Sequence, residues 1–276
     1  MKEISLQMVD ETNIAPFKNF TANQITYTFK HQIAKGHFST IYEATDIWNN
    51  NLVVKIYTNK IDEKVFNNEI KQLKRFSSKY VVNLYEAFSY QEFHFLIMEN
   101  FGVSISRVQT KDFDTKINIF IECARSLLQA LHQIHLSGNI HGDINPQNVL
   151  IDIKNNQIFG VKICDFAFCR KANSLNKEIM ALAHWIIPPE YFEVGIENLS
   201  SAIDVYHAAL VLFSILSEEK LNYTKKEILN NKPQKDVLNS LNPLIKALSP
   251  ALEINPEKRI SAIELWKILI NINIYQ

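Results

Sequence analysis

Apolar residues along this chain change their period twice, and each change marks a change of element. Three short runs, 25–33, 38–44 and 52–57, are rich in β-branched and aromatic residues and are parted by the turn-prone segments Lys35-Gly36 and Trp48-Asn49-Asn50-Asn51. Runs of this kind, bounded by Gly and Asn, predict three antiparallel strands. Phe66, Glu69, Ile70 and Leu73 then recur at helical spacing within a Lys/Glu/Asn-rich stretch, which predicts one amphipathic helix. Two more strands are expected around 84–88 and 93–98. Residues 1–24 show no sustained period and read as an N-terminal extension.

Beyond Phe101-Gly102 the pattern turns helical. Ile117, Phe120, Ile121, Ala124, Leu127, Leu128, Leu131 and Ile134 fall on one face of a long helix, and Ser137-Gly138 ends it, with Gly suited to the left-handed cap. Residues 202–216 are apolar nearly all round, so this helix belongs at the centre of its lobe. Helices over 243–248, with Pro243 at a first helical position, and 261–270 would pack outside it. The expected fold is α+β: a five-stranded antiparallel sheet lobe with one helix (25–100), hinged near 98–101 onto a larger, mainly helical lobe (101–272). The cleft between two such lobes is the expected site.

Composition narrows the function classes. Twenty-nine Lys plus Arg balance 29 Asp plus Glu, so no global field favours nucleic acid or an anionic membrane. Cys123, Cys164 and Cys169 lack paired spacing, which suits a reducing compartment better than a disulfide framework. The amino terminus has no charged-then-apolar signal pattern, and the longest apolar run, 208–216, is far short of the ~20 residues that span a bilayer. A cytoplasmic protein without a membrane span is expected, host cytoplasm included if a bacterium secretes it.

The chemistry concentrates in His141-Gly142-Asp143-Ile144-Asn145-Pro146-Gln147-Asn148 and in Asp165-Phe166-Ala167. Asp143, in a loop after the long helix, can accept the proton of an attacking hydroxyl. Asn148 and Asp165 supply a neutral and a charged oxygen, a pair suited to Mg²⁺ held against nucleotide phosphates. Upstream, Lys55 closes the apolar strand Leu52-Val53-Val54, and Glu69 on the next helix is its natural partner.

These residues together resemble the protein kinase superfamily, in its Ser/Thr branch, over about 25–272. The resemblance implies a protein substrate, ATP and Mg²⁺. It implies Asp143 as catalytic base, Asn148 and Asp165 as metal ligands, and Lys55 with Glu69 positioning the α- and β-phosphates. The turn Ala34-Lys35-Gly36-His37-Phe38-Ser39 would cover the phosphates, with Gly36 as its middle glycine. Met98 looks like the gatekeeper, Glu99 and Phe101 would present hinge backbone to adenine, and Ile41, Val53 and Leu150 would sandwich the ring. Pro188-Pro189-Glu190 resembles the end of the activation segment, Arg259 the arginine that pairs with that glutamate, and Asp204 the buried aspartate that anchors the catalytic loop.

Departures from the family pattern carry their own expectations. Gly142 stands where many kinases have the arginine that receives an activation-loop phosphate, so activity without loop phosphorylation is expected, with Ser174 dispensable. Asn145 stands where Ser/Thr kinases have a lysine, a loss worth on the order of 10²-fold in rate. Ala167, Ala34 and Ser39 replace glycines. A nucleotide-binding pseudokinase serving as a scaffold for a regulatory protein partner stays open. His-Gly-Asp also resembles the vaccinia-related kinases and the aminoglycoside and choline phosphotransferases, so a small-molecule acceptor stays open too.

Overall fold

A computed structural model describes residues 4–8, 17–36, 39–57, 63–91, 93–155, 157–172, 185–194, 199–217 and 220–272. The chain forms two compact units. The first runs to Phe101 without Lys79–Val81, and the second takes those three residues and everything from Gly102. Lys79–Val81 joins the second unit because the Ile163 N–H donates to the Tyr80 carbonyl at 2.8 Å and Val81 bridges Ile163. The two units part between Phe101 and Gly102.

Among the described residues the first unit is one antiparallel sheet with a single helix. Its strands are β1 (Ile4–Met8), β2 (Phe17–Ala22), β3 (Ile25–Lys35), β4 (Ser39–Thr45), β5 (Asn51–Tyr57), β6 (Leu84–Tyr90) and β7 (Phe93–Glu99), and α1 (Glu63–Arg75) lies between β5 and β6. The order is β1-β2-β3-β4-β5-β7-β6, which makes seven strands rather than the five expected. The extra two come from residues 1–24, read from sequence as an extension. Over 19–22 in β2, buried Phe20 and Ala22 alternate with partly exposed Asn19 and Thr21, a pattern too short for its period to stand out in the sequence. What joins β2 to β3 is a two-residue turn, Asn23 and Gln24, both at positive φ, the backbone a tight hairpin needs.

Residues paired across neighbouring strands share a face, so the register sorts the sheet into two sides. Tyr42, Val54 and Ile97 pair in one row and Ala44 with Leu52 in another; together with Phe20, Tyr27, Phe29, Phe88 and Phe95 they form a buried aromatic core. Phe20 of β2 lies 5.5 Å from Phe88 and 5.2 Å from Phe95, ring centre to ring centre, so the sheet curls until its second strand meets its far end. The opposite face carries the row Ile41–Lys55–Leu96 and the row Val53–Met98–Leu84.

The second unit is built on two helices. The long helix α2 (Phe113–Leu136) starts at Asp112, whose carboxylate accepts from the Thr115 N–H at 2.8 Å. It ends at Gly138, whose φ of +72° is the left-handed conformation expected at that position. Around it lie β8 (Val103–Ser104), β9 (Asn139–Ile140), β10 (Val149–Lys154), β11 (Gln157–Ile163), β12 (Arg170–Lys171), α3 (Tyr191–Val194) and α4 (Ala202–Leu216). As its all-round apolar sequence demands, α4 is buried along nearly its whole length and packs on α2. The remaining helices are α5 (Lys225–Leu229), α6 (Lys232–Asn239), α7 (Pro243–Lys246) and α8 (Ala262–Ile270), the last also packed on α2. Among the described residues no helix is long and apolar enough to cross a membrane.

Candidate functional site

Lys55 and Glu69 meet inside the first unit. The Lys55 ammonium donates to both Glu69 oxygens at 3.0 Å, and both side chains are almost fully buried. The Tyr57 hydroxyl donates to the same carboxylate, and the ammonium lies 5.0 Å from the centre of the Tyr57 ring. On this face of the sheet Val53 flanks Lys55 and pairs with Met98, which is buried, while Ile41 lies directly across from Lys55. Glu99 is tied to Asn83 twice: its N–H donates to the Asn83 carbonyl and its carboxylate accepts from the Asn83 N–H, each at 3.0 Å. Phe101, half-buried, closes this stretch.

Ala34 sits in β3 opposite Ile41, and the Gly36 N–H donates to the Ser39 carbonyl at 2.8 Å. A Cβ on Gly36 would make only an ordinary contact with Ser39, so nothing in this backbone demands glycine there. His37 and Phe38, at the tip of that turn, lie outside the described residues.

In the second unit the loop from His141 to Asn148 hangs from Asp204. One oxygen of the fully buried Asp204 accepts from the His141 N–H at 2.7 Å and the other from the Gly142 N–H at 2.9 Å. His135 adds a third contact, Nε2 to carboxylate, at 2.9 Å. Burial alone would raise this carboxyl, yet the bonds and charges of His135 and His141, with the Gly142 N–H, outweigh it and hold Asp204 below the usual carboxylate range. Burial lowers the His141 pKa, with the Asp204 charge opposing that shift, and the ring stands edge-on to Phe166 at 4.7 Å.

Asp143 is clamped by amides. Asn145 Nδ2 donates to Asp143 Oδ1 at 2.9 Å and Asn148 Nδ2 to Oδ2 at 2.8 Å, so each oxygen is held by an amide. Asn145 in turn accepts from the Gln147 N–H at 2.8 Å. The residue that replaces the expected lysine is thus a strut for Asp143. With both Asn148 donor bonds spent on Asp143, at 2.8 and 2.9 Å, its Oδ1 is turned away from that residue. Asp165 lies in the left-handed region (φ +65°), and the Ala167 N–H donates to its Oδ1 at 3.4 Å. A neutral amide oxygen plus one carboxylate is a hard donor set that fits a Mg²⁺ completed by phosphate and water, though not an all-protein cage. Leu150, half-buried in β10, pairs with Ser104 and Lys162.

Gly142 has a backbone reason. Its φ is +81°, and a Cβ there would stand 3.1 Å from the Phe168 carbonyl oxygen and 3.6 Å from Arg170 Nη1. Arg170, on β12, thus brings a guanidinium beside the position where the family arginine is missing. Burial lowers its pKa, and the nearby Asp204 charge opposes that shift.

The distant pair also forms as expected. Arg259 grips Glu190 with two parallel bonds, Nη1 to Oε1 at 2.6 Å and Nη2 to Oε2 at 2.7 Å, in a buried setting.

Sequence reasoning misses Tyr57, His135 and Arg170. Tyr57 follows Lys55 by two in a strand, a spacing that signals a shared face; His135 and Arg170 carry no comparable local signal.

The protein kinase domain model matches residues 27–269. Among curated proteins the chain is 26% identical to a "Probable serine/threonine-protein kinase 2" of Plasmodium falciparum over 74% of its length. It is 26% identical to "Serine/threonine-protein kinase STE20" of Eremothecium gossypii over 85% of its length, and 27% identical to its namesake in Yarrowia lipolytica over 86%. The alignments span 39%, 25% and 21% of those relatives' own lengths. With the paired Lys55–Glu69, the loop hung from Asp204 and the Glu190–Arg259 joint, this match over nearly the whole chain places the protein in the protein kinase family.

Proposed function

We propose that the chain is a Mg²⁺-ATP-dependent protein kinase that transfers the γ-phosphoryl group to a Ser or Thr hydroxyl and needs no phosphate on its activation segment. The observation that carries this reading is the clamped Asp143 carboxylate, whose two oxygens are aimed by Asn145 and Asn148 in a loop suspended from Asp204 by the His141 and Gly142 N–H groups. Asp143 orients the acceptor hydroxyl and takes its proton. Asn148 and Asp165 would hold Mg²⁺, which supplies charge neutralisation at the phosphates. Lys55, held by Glu69, meets the α- and β-phosphates. Ala34, Gly36, Ile41, Val53, Met98, Glu99, Phe101 and Leu150 are assigned to the nucleotide, on the family pattern and their places in the two units.

Independence from loop phosphorylation rests on Gly142, whose left-handed backbone disfavours the arginine that would read a phosphate. Ser174, the hydroxyl residue expected from sequence to be dispensable, lies outside the described residues. A protein acceptor is supported by the Glu190–Arg259 joint and by the Ser/Thr kinase relatives. A second reading, a nucleotide-binding scaffold, is favoured by Asn145, which holds Asp143 but brings no cation to the migrating phosphoryl group.

Radiolabelled transfer from Mg²⁺-ATP by phosphatase-treated protein tests these readings, with a generic protein, aminoglycosides and choline as acceptors. The expected result is label on Ser or Thr of the protein acceptor, with Ser174→Ala equal to wild type. Nucleotide binding without transfer would establish the scaffold, and label on a small molecule would replace the protein acceptor.

A further inference from the structure

Lys55 and Tyr57 stand two residues apart on β5, so both side chains leave the same face of the sheet. Both end on the Glu69 carboxylate of α1. Building on the phosphoryl-transfer reading, we infer that Tyr57 is a positioning residue, a phenol that holds Glu69 so that Lys55 is kept in line for the nucleotide's phosphates.

The surroundings leave the phenol little freedom. Tyr57 is 1% exposed, and Phe66, one turn before Glu69 on the same face of α1, meets its ring edge-on at 5.9 Å. His94, paired with Tyr57 across the strands, stacks on Phe66 at 4.8 Å. The ring is boxed, and its hydroxyl is delivered to one oxygen of Glu69.

The chemistry follows from the donor count. A carboxylate offers about four lone-pair sites, and an ammonium has three donors. When one Lys55 N–H turns toward a phosphate oxygen, Glu69 loses part of its partner. A second donor on the same carboxylate keeps that buried charge satisfied, which removes the largest penalty for the turn. The ring adds a cation–π contact under the ammonium and limits where the charge can move. All of these groups belong to the first unit.

Tyr57→Phe tests this, because it keeps the ring, its packing and the cation–π face and removes only the donor. Affinities for Mg²⁺-ATP and for adenosine are measured by calorimetry on the full chain. The variant is expected to lose about tenfold in Mg²⁺-ATP affinity, the scale of one hydrogen bond to a charged group, with adenosine binding unchanged. Added to Glu69→Gln, it should change Mg²⁺-ATP affinity by less than about twofold, since the two act as one unit. An unchanged Mg²⁺-ATP affinity, or equal losses for both ligands, overturns the inference and leaves phosphoryl transfer standing. A wild-type chain that binds Mg²⁺-ATP no more tightly than adenosine sinks that reading, and the inference with it.

Discussion

Two buried ion pairs, one in each unit, are made from different cations and behave differently for that reason. Arg259 commits all five of its N–H donors to the protein: two to Glu190 and the others to the carbonyls of Glu253, Ala202 and Ile254. Its guanidinium also lies over the Tyr206 ring at 4.7 Å. Lys55 is a compact charge on a rotatable stem, and its partner Glu69 is shared with Tyr57. A saturated fork makes a joint. A rotatable ammonium over a shared carboxylate makes a charge that can be offered to a ligand while its partner stays held.

The strongest test of this contrast removes the fork. Arg259→Ala leaves Glu190 buried and alone, and chemical denaturation should report a loss of about 3–5 kcal/mol. Arg259→Lys should recover less than half, because an ammonium cannot make the parallel bonds. A loss no larger than that of an ordinary surface substitution would mean that the pair is not a joint.

Lys55→Met should cost on the order of 10²-fold in phosphoryl transfer. Lys55→Arg should not restore it, since the planar fork cannot take the place of a point charge. Steady-state rates decide the matter, and full activity in the arginine variant would erase the distinction drawn here.

Titration should separate the units more gently. Burial holds His141 and His207 below their ordinary 6.5, so the unfolded chain binds protons that the folded chain refuses. Their contribution is complete above pH 6.5 and is lost as the pH falls from there through the folded values. Asp204, held below 3.8, has the same sign at lower pH, its contribution draining as the pH falls through its own folded value. All three groups lie in the second unit. Denaturation midpoints from pH 8 to pH 3 should therefore fall with acid, and His207→Asn should flatten the upper part of that curve.

The smallest effect is expected at helix starts. Ser261 and Glu264 form a reciprocal capping box at α8, and Ser261→Ala should lower stability by about 1 kcal/mol.

The same contrast between local and distant partners decides what could be read in the sequence. Strands β3 to β7 and α1 are legible because each repeats its period often enough to be seen, and α4 is legible because it is apolar all round. β2 is hidden by its length, with the alternation of Phe20 and Ala22 too brief to mark a period. Asp143, Asn148 and Asp165 are legible through spacing within one loop and the next hairpin. The strut role of Asn145 is not, because an amide in a lysine's place signals a lost charge and says nothing of the bond it makes. His135 is likewise hidden, since its partner Asp204 is 69 residues away. Arg170 becomes meaningful only when β12 lays it beside Gly142.

The central claim is that a loop without its usual cations still aims Asp143 well enough for catalysis. The most direct measurement is the rate of phosphoryl transfer from Mg²⁺-ATP by phosphatase-treated wild type against Asp143→Asn, with nucleotide affinity recorded for both. The wild-type rate is expected to be higher by on the order of 10²-fold, at equal nucleotide affinity. Equal rates with nucleotide still bound would contradict it.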